Sequence, residues 1–344
     1  MLLSVIIATY NRSKDVKKVI DELKHQYGHL VIDFPNAKLE EEIELILVDN
    51  NSTDDTGAMA FQILSEQSRK KGKEKYPEEQ YLELKYFLET QQGSSQARNR
   101  GIKEASGNLL AFLDDDIHLD QSWLKNSYNL AKEKPENFCN GARVIPIWEL
   151  DPLPEWLSIE APYEVIQSCF PAHDHGEEKK SYPFDFPNSD RKIQNPISAC
   201  FLASKDVFEN HGDFRLDLGI KANERGACED TEFFWRLIKA GVELEYNPEI
   251  TVYHPIVKEK ITKDFVLRWY RLLGKTLEYM KDKKLTHLNP SVQVSPRLVL
   301  LTKLLVFSLT EFMTFAFLNP QKAFWFQCQR EYVKGQMDYK MLRA

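Results

Sequence analysis

In "LLAFLDDD", Leu109 to Asp116, three aspartates directly follow a run of apolar residues. Neighbouring carboxylates repel by about 1 kcal/mol in bulk water and by several kcal/mol in a protein cleft. Hard cations such as Mg²⁺ or Mn²⁺ take carboxylate ligands and often share them with substrate phosphates. The stretch therefore predicts a divalent cation at the end of a buried strand. A solvated turn with surplus charge is the plainer alternative.

Three other apolar runs precede this strand, and segments with helical spacing separate them. Alternating strands and helices are typical of parallel strands joined by crossover helices, and continuously apolar strands indicate a sheet covered on both faces. The predicted strands are residues 2–10, 43–48, 82–90 and the run before Asp114; the predicted helices are 13–26 with Ser13 as N-cap, 56–71, and one entered from the Gly/Ser loop at Gly93.

Polar residues follow each predicted strand. In doubly wound sheets, ligands bind at the carboxyl ends of the strands. Asn11, Asp49, the loop at Gly93 and the three aspartates all fall at such ends. We therefore expect these groups to line one cleft.

Composition restricts the class of protein. The chain has 344 residues, 42% of them hydrophobic, which suffices for one large α/β domain with an appendage. Its formal net charge of −7 argues against nucleic acid as a main partner. Five widely spaced cysteines without a CxxC motif favour a reducing compartment, and no secretory signal is recognised at the start.

Two further polar features lie beyond the predicted strands. Glu229 and Asp230 precede a predicted helix, residues 231–240, that either carboxylate could cap and that ends at Gly241. His254 ends a short β-rich run, residues 250–253, where it could be a packed residue or a metal ligand. Between these features and the aspartates, residues 145–196 read as a long irregular segment at the rim of the cleft.

Taken in order, five segments resemble the family 2 glycosyltransferases with the GT-A fold. The segments are "SVIIATYNR", "LILVDNNSTDDT", "GSSQARNRGIKEASGNLLAFLDDD", "CEDTEFFWRLIKAG" and "YNPEITVYHP". The resemblance implies a Rossmann-like α/β fold with a mostly parallel central sheet flanked by helices. It spans about three quarters of the chain.

The resemblance also implies roles for individual residues. Asp230 matches the general base, with Glu229 as the other member of the acidic pair. Asp116, together with Asp114 and His254, matches the site of a Mn²⁺ or Mg²⁺ ion. The residues that match the nucleotide pocket of the donor are Thr9, Tyr10, Asn11, Asp49, Arg98, Asp114 and Asp115.

The implied reaction is inverting transfer of a sugar from a nucleotide-diphosphate donor to a hydroxyl of a glycan or lipid-linked acceptor, as in cell-surface polysaccharide synthesis. Two alternatives stay open. One is a phosphatase that uses an aspartate after an apolar strand as nucleophile, although its motif is expected on the first strand. The other is a non-catalytic protein that keeps the fold and binds nucleotide sugars or glycans.

The C-terminal third contains "LVLLTKLLVFSLTEFMTFAFL", residues 298–318. Its length would just span a bilayer, but Lys303 and Glu311 argue against a spanning helix. At 100° per residue Lys303, Thr310, Glu311 and Thr314 share about one quadrant. This stripe suits either a helix in the membrane interface or a helix packed on the domain. For the first hypothesis we expect basic flanks (Arg297, Lys322, Arg330) and aromatic side chains at headgroup depth (Phe317, Phe324, Trp325, Phe326).

We therefore expect a catalytic domain over residues 1–257 and a helical extension over residues 258–344. Within the first, residues 1–118 would form the donor half and residues 119–257 the acceptor half. Peripheral membrane contact would involve residues 297–326. The expected location is the cytoplasm, at the inner face of the cell membrane.

Overall fold

A computed structural model describes residues 1–71, 81–133, 136–159, 163–165, 169–182, 195–219, 226–285, 296–316 and 319–342. Within these ranges nine strands form one sheet. The strands are β1 (Leu3–Thr9), β2 (Ile43–Asp49), β3 (Leu84–Leu88), β4 (Leu109–Leu113), β5 (His118–Leu119), β6 (Phe138–Trp148), β7 (Lys180–Ser181), β8 (Cys200–Ser204) and β9 (Glu243–Ile256).

Helices cover both faces of the sheet and form the C-terminal end of the chain. They are α1 (Ser13–Asp33), α2 (Leu39–Glu42), α3 (Thr56–Lys71), α4 (Ser94–Glu104), α5 (Trp123–Glu133), α6 (Lys205–His211), α7 (Glu229–Ala240), α8 (Lys263–Asp282), α9 (Arg297–Ala316) and α10 (Pro320–Met341).

The sheet has the strand order β3-β2-β1-β4-β8-β6-β9-β5, with β7 paired to β9. The first four strands are parallel, as predicted, and the register sets Thr9 opposite Asp49. Strand β8 is antiparallel to both neighbours, and β6 runs parallel to β9. The α/β architecture with a mostly parallel sheet and C-terminal helices is confirmed.

Two apolar cores hold the sheet between its helices. Alternate residues of β1, β2 and β4 point to opposite faces, so that Val5 joins the core with α1 and α5, while Ile6 joins the core with α4, α6 and α7. Burying each such aliphatic side chain stabilises the fold by about 1.5–3 kcal/mol. The polar groups at the strand ends are thereby fixed to a rigid edge.

Several predicted boundaries are wrong. Arg12 rather than Ser13 occupies the N-cap of α1, because Oδ2 of Asp54 accepts from the Ser13 amide at 3.1 Å and supplies the missing acceptor. Helix α7 begins at Glu229, with Cys228 at its N-cap, so neither acidic residue caps it from outside. Gly241 does end that helix, with φ of 79°.

The structure also corrects the region from residue 145 onward. Strand β6 extends to Trp148, and β7 interrupts the segment that the sequence predicts as irregular. Residues 160–162, 166–168 and 183–194 of that segment lie outside the described residues. His254 lies inside β9 rather than at the end of a short strand, because pairing with β6 continues to Ile256.

The C-terminal helices pack closely on one another. A Cβ at Gly274 of α8 would lie 2.0 Å from the carbonyl oxygen of Tyr332, and one at Gly335 of α10 would lie 1.8 Å from that of Arg271. Only glycine allows the two backbones to approach this closely. No helix in the described ranges is long and apolar enough to cross a membrane.

Helix α9 packs with its polar side toward α10. Glu311 forms an ion pair with Arg330 of α10, and Thr314 is buried. The opposite side carries apolar side chains that are 48% to 75% exposed, namely Leu298, Leu301, Leu305, Leu309 and Phe312. The expected headgroup position of Phe324 is wrong, since this ring is buried against Trp156. Phe317 lies outside the described residues.

Two buried histidines join β6, β7 and β9. Nε2 of His175 lies 3.0 Å from Nδ1 of His173, whose Nε2 bonds the hydroxyl of Tyr182. Burial, together with the charge of Lys180, lowers the pKa of His175 to about 4 against the opposing charge of Asp174. Burial and His175 also lower the pKa of His173. Both rings are therefore neutral in the folded protein near neutral pH.

This pair predicts acid sensitivity. Because the pKa of His175 is lower in the folded than in the unfolded chain, unfolded protein binds more protons as the pH falls from about 6.5 toward 4. Between pH 7.5 and 5 the wild type should lose about 2 kcal/mol of unfolding free energy through this group. Urea unfolding at both pH values should show a smaller loss for His175→Gln. An equal loss in His175→Gln and in the exposed-surface control His29→Gln would contradict the assignment.

Candidate active site

The ends of β1 and β2 form one wall of a cleft. Asp49 is buried, where its Oδ1 accepts from the Ser52 amide at 2.8 Å and its Oδ2 from the Tyr86 hydroxyl at 2.9 Å. Asn11 has φ of 54°, and its Oδ1 accepts from the Thr53 amide at 2.7 Å. These bonds lock the loop after β1 to the loop after β2. A movement of one loop would therefore break hydrogen bonds with the other.

The three aspartates at the end of β4 have different partners. Oδ1 of Asp114 lies 3.4 Å from Nη2 of Arg98. Oδ2 of Asp115 accepts from the Thr9 hydroxyl at 2.7 Å. Asp116 forms an ion pair with Arg12. Each carboxylate of the predicted cluster therefore meets a separate compensating group.

These surroundings separate the pKa values of the three carboxyls. Desolvation in the cleft raises the pKa of Asp114, although 31% of its side chain is accessible, and Arg98 opposes the rise. Burial raises the pKa of Asp115 to about 7, against the opposing charge of Arg12. Burial acts on Asp116 in the same sense, but His254 and Arg12 outweigh it and lower its pKa. Asp116 is thus the carboxyl held most firmly in its charged form.

Strand pairing brings His254 to this cluster from a distant part of the chain. Strand β5 directly follows the aspartates and pairs His118 with Tyr253 of β9. Nε2 of His254 consequently lies 3.5 Å from Oδ1 of Asp116. Its Nδ1 lies 3.0 Å from the carbonyl oxygen of Pro255, which can only accept, so Nδ1 carries a proton; whenever Nε2 is unprotonated, its lone pair is available to a cation.

Asp114, Asp116 and His254 fit a divalent cation. One ligand atom from each lies within 4.8 Å of the others. Two carboxylate oxygens and an imidazole nitrogen are donors suited to Mn²⁺, and carboxylates also suit Mg²⁺. The hydrogen bond from Nδ1 of His254 to the carbonyl oxygen of Pro255 orients the ring. Histidines that bind a metal through one nitrogen usually have such a bond at the other. These three residues could hold the cation that the sequence predicts.

Arg98 connects this cluster to the acidic pair. Its Nη1 lies 3.0 Å from Oε1 of Glu229, and that oxygen also accepts from the Ser94 hydroxyl at 3.0 Å. Burial raises the pKa of Glu229, and Asp230 raises it further, while Arg98 opposes both. The guanidinium therefore bridges Asp114 and Glu229.

Asp230 is held differently from its neighbour. Its Oδ1 accepts from the Thr231 amide at 2.7 Å and its Oδ2 from the Ser198 amide at 3.3 Å. The residue is partly exposed, whereas Glu229 is buried. Cys228 immediately before the pair has φ of 68°, a left-handed conformation that favours glycine and that is often found at functional sites. Asp230 is thus the member of the pair that a ligand could reach.

Most of the predicted site residues lie close together at the strand ends, and two lie at the edge of the cleft. Arg98 joins Asp114 to Glu229, Thr9 bonds Asp115, and His254 faces Asp116, while Asp230 is bonded to the amides of Ser198 and Thr231. Tyr10 is 42% exposed at the entrance, and Asn11 serves the loop rather than the cluster. Sequence analysis missed Arg12 and Ser94. Arg12 is the last residue of the quoted "SVIIATYNR", and its charge beside a strand end could have identified it.

The fold is that of the GT-A glycosyltransferases. The structure matches that of the mannosyltransferase PcManGT of Pyrobaculum calidifontis, which was solved with GDP-Man and Mn²⁺. The match covers 99% of this chain and 88% of that chain, with a TM-score of 0.56 and 12% identity. TarS residues 1–349 of S. aureus with UDP-GlcNAc matches over 99% of this chain and 92% of that chain, with a TM-score of 0.50 and 17% identity. At these identities the likeness concerns the fold alone.

The sequence identifies the family. Residues 4–212 match the profile described as Glycosyl transferase family 2, which is more than half of the chain. The chain belongs to this family, which confirms the resemblance and disfavours the phosphatase alternative.

Two curated relatives are similar over part of their length. Glycosyltransferase AglE of Haloferax volcanii is 34% identical over 123 residues, 36% of this chain and 33% of the relative. The GalNAc(5)-diNAcBac-PP-undecaprenol beta-1,3-glucosyltransferase of Campylobacter jejuni is 31% identical over 133 residues, 38% of this chain and 35% of the relative. The alignments thus span about a third of these relatives.

Proposed function

We propose that the chain transfers a sugar, with inversion, from a nucleoside-diphosphate sugar to a hydroxyl of a glycan or lipid-linked acceptor. The observation that carries this proposal is the double contact of Arg98 with Asp114 and Glu229, which joins the candidate cation site to the acidic pair in one cleft. A transferase needs both parts together: one for the departing diphosphate and one for the attacking hydroxyl.

Names of similar proteins support the substrate classes. The two structures described above contain GDP-Man and UDP-GlcNAc, and the name of the Campylobacter relative specifies a PP-undecaprenol acceptor. For this chain we infer a donor of the same general kind and an acceptor that is a glycan or is linked to a lipid. We also infer a cytoplasmic location at the inner face of the cell membrane.

In this proposal Asp230 is the catalytic base. Its carboxylate accepts the proton of the acceptor hydroxyl as that oxygen attacks the anomeric carbon and the bond to the diphosphate breaks. The backbone amides of Ser198 and Thr231 fix its orientation. Buried Glu229 acts through Arg98, whose guanidinium it holds in the cleft.

Donor binding is assigned to the remaining network. Mn²⁺ or Mg²⁺ held by Asp114, Asp116 and His254 would offset charge that develops on the diphosphate. Asp49 and Thr9, fixed at adjacent strand ends, would contact the nucleoside, with Tyr10 and Asn11 at the entrance. Asp115 and Arg98 would complete the pocket.

The test compares Asp230→Asn with wild type. A panel of UDP- and GDP-sugars is first screened with Mn²⁺ by thermal shift, and release of nucleoside diphosphate is then measured with the stabilising donor. Loss of the base should lower turnover by about 100- to 10,000-fold. The thermal shift should persist because Asp230 does not belong to the donor network.

Asp21→Asn, on the exposed face of α1, is the matched control and should leave turnover unchanged. Turnover of Asp230→Asn within a few-fold of wild type would remove Asp230 from its role. A wild-type protein that no nucleotide sugar stabilises would contradict the donor assignment and favour the non-catalytic alternative.

We also propose that α9 lies on a membrane surface. The side of α9 away from the protein is apolar over Leu298, Leu305 and Phe312, while its polar side faces α10. A soluble helix normally has the opposite arrangement. Exposed Arg297, in the first turn of the helix, could meet anionic headgroups. The proposed division into a catalytic part, residues 1–257, and a helical extension, residues 258–344, is supported by the end of β9 at Ile256, after which the described residues form α8, α9 and α10.

Vesicle flotation tests this surface. The double variant Leu305→Gln, Leu309→Gln should bind vesicles of anionic and zwitterionic lipids at least about tenfold more weakly than wild type, because each buried leucine contributes about 1.5–3 kcal/mol. Ile32→Gln, which changes an exposed apolar side chain of α1, is the control. Equal binding by the double variant would contradict the proposal, as would a wild type that does not float and instead dimerises through α9.

A further inference from the structure

The side chain of Arg12 lies on a carboxylate that belongs to the candidate cation site. Its Nη1 contacts Oδ2 of Asp116, and its Nε lies 3.7 Å from Oδ1 of Asp115. The other oxygen of Asp116 faces His254. We propose that Arg12 couples cation binding to donor binding, by leaving Asp116 for the diphosphate of the donor when both ligands are present. This inference rests on the proposed function.

The backbone at Arg12 is fixed, whereas its side chain is partly exposed. The amide of Ser13 is bonded to Asp54, and the carbonyl oxygen of Arg12 accepts from the Val16 amide at 3.0 Å as the first bond of α1. The Arg12 side chain is 37% exposed. A change of its rotamer therefore requires no movement of the helix or of β1.

A cation and the guanidinium compete for one carboxylate. A doubly charged ion held by Asp114, Asp116 and His254 would stand close to Arg12 as long as Arg12 remained on Asp116. The two positive charges repel strongly in a cleft that is partly shielded from water. Arg12 is thus expected to weaken the binding of a cation alone.

A diphosphate relieves this competition. Its oxygens carry negative charge and match the planar fork of arginine, which can bond two oxygens at once. Arg12 can then exchange Asp116 for phosphate, and Asp115 remains near its Nε. The donor should therefore raise cation affinity, and by linkage the cation should raise donor affinity by the same factor.

The experiment measures Mn²⁺ binding rather than turnover. Free Mn²⁺ is followed by electron paramagnetic resonance during titration of wild type, Arg12→Gln and Arg12→Lys, first with Mn²⁺ alone and then with UDP or GDP, corrected for Mn²⁺ bound to free nucleotide. Arg12→Gln should bind Mn²⁺ alone about threefold or more tightly than wild type, and its gain from the nucleotide should shrink by a similar factor. Arg12→Lys, which keeps the charge but not the fork, should lie between them.

Lys17→Gln removes a positive charge from the exposed face of the same helix and should behave as wild type. If Arg12 had a purely structural role, Arg12→Gln would not bind Mn²⁺ more tightly than wild type. Asp116 without its partner would then bind Mn²⁺ equally or more weakly. That result, or an undiminished gain from nucleotide in Arg12→Gln, would overturn the inference while leaving the proposed function intact. A wild type that shows no gain from either nucleotide would overturn both.

Discussion

Repulsion among three carboxylates at the end of β4 is the constraint around which the site is built. The apolar strand fixes their position, and parallel pairing with β1 brings Thr9 to Asp115. Arg98 and Arg12 each approach a different aspartate from helices that start beside the cleft. The fold thus supplies positive charge and hydrogen bonds at the place where the sequence concentrates negative charge.

The same constraint links the two halves of the proposed reaction. Arg98 contacts Asp114 and Glu229 with the two terminal nitrogens of one guanidinium, and so links the end of β4 to the start of α7. Glu229 is therefore occupied and buried. Asp230, held by the backbone amides of Ser198 and Thr231, is partly exposed and keeps access to a ligand. One arginine in this way divides the acidic pair into a positioning residue and a candidate base.

The sequence predicts well that polar residues after β1, β2 and β4 meet, because parallel strands end at a common edge of the sheet. Thr9, Asp49 and Asp114 need only correct strand assignments to come together. His254 could be placed only by family resemblance, since its approach depends on the two-residue strand β5. The predicted N-cap of α1 is wrong because the acceptor for the Ser13 amide, Asp54, comes from another loop. Helical periodicity predicts the polar stripe of α9 but could not show that Glu311 in this stripe pairs with Arg330 of α10.

The most direct test of the account is the position of Mn²⁺ in crystals grown with Mn²⁺ and UDP or GDP, located by anomalous scattering at the manganese edge. We expect a peak within about 2–2.5 Å of a carboxylate oxygen of Asp116 and of Nε2 of His254. An Asp116 side chain turned into solvent, with the ion bound elsewhere, would contradict it.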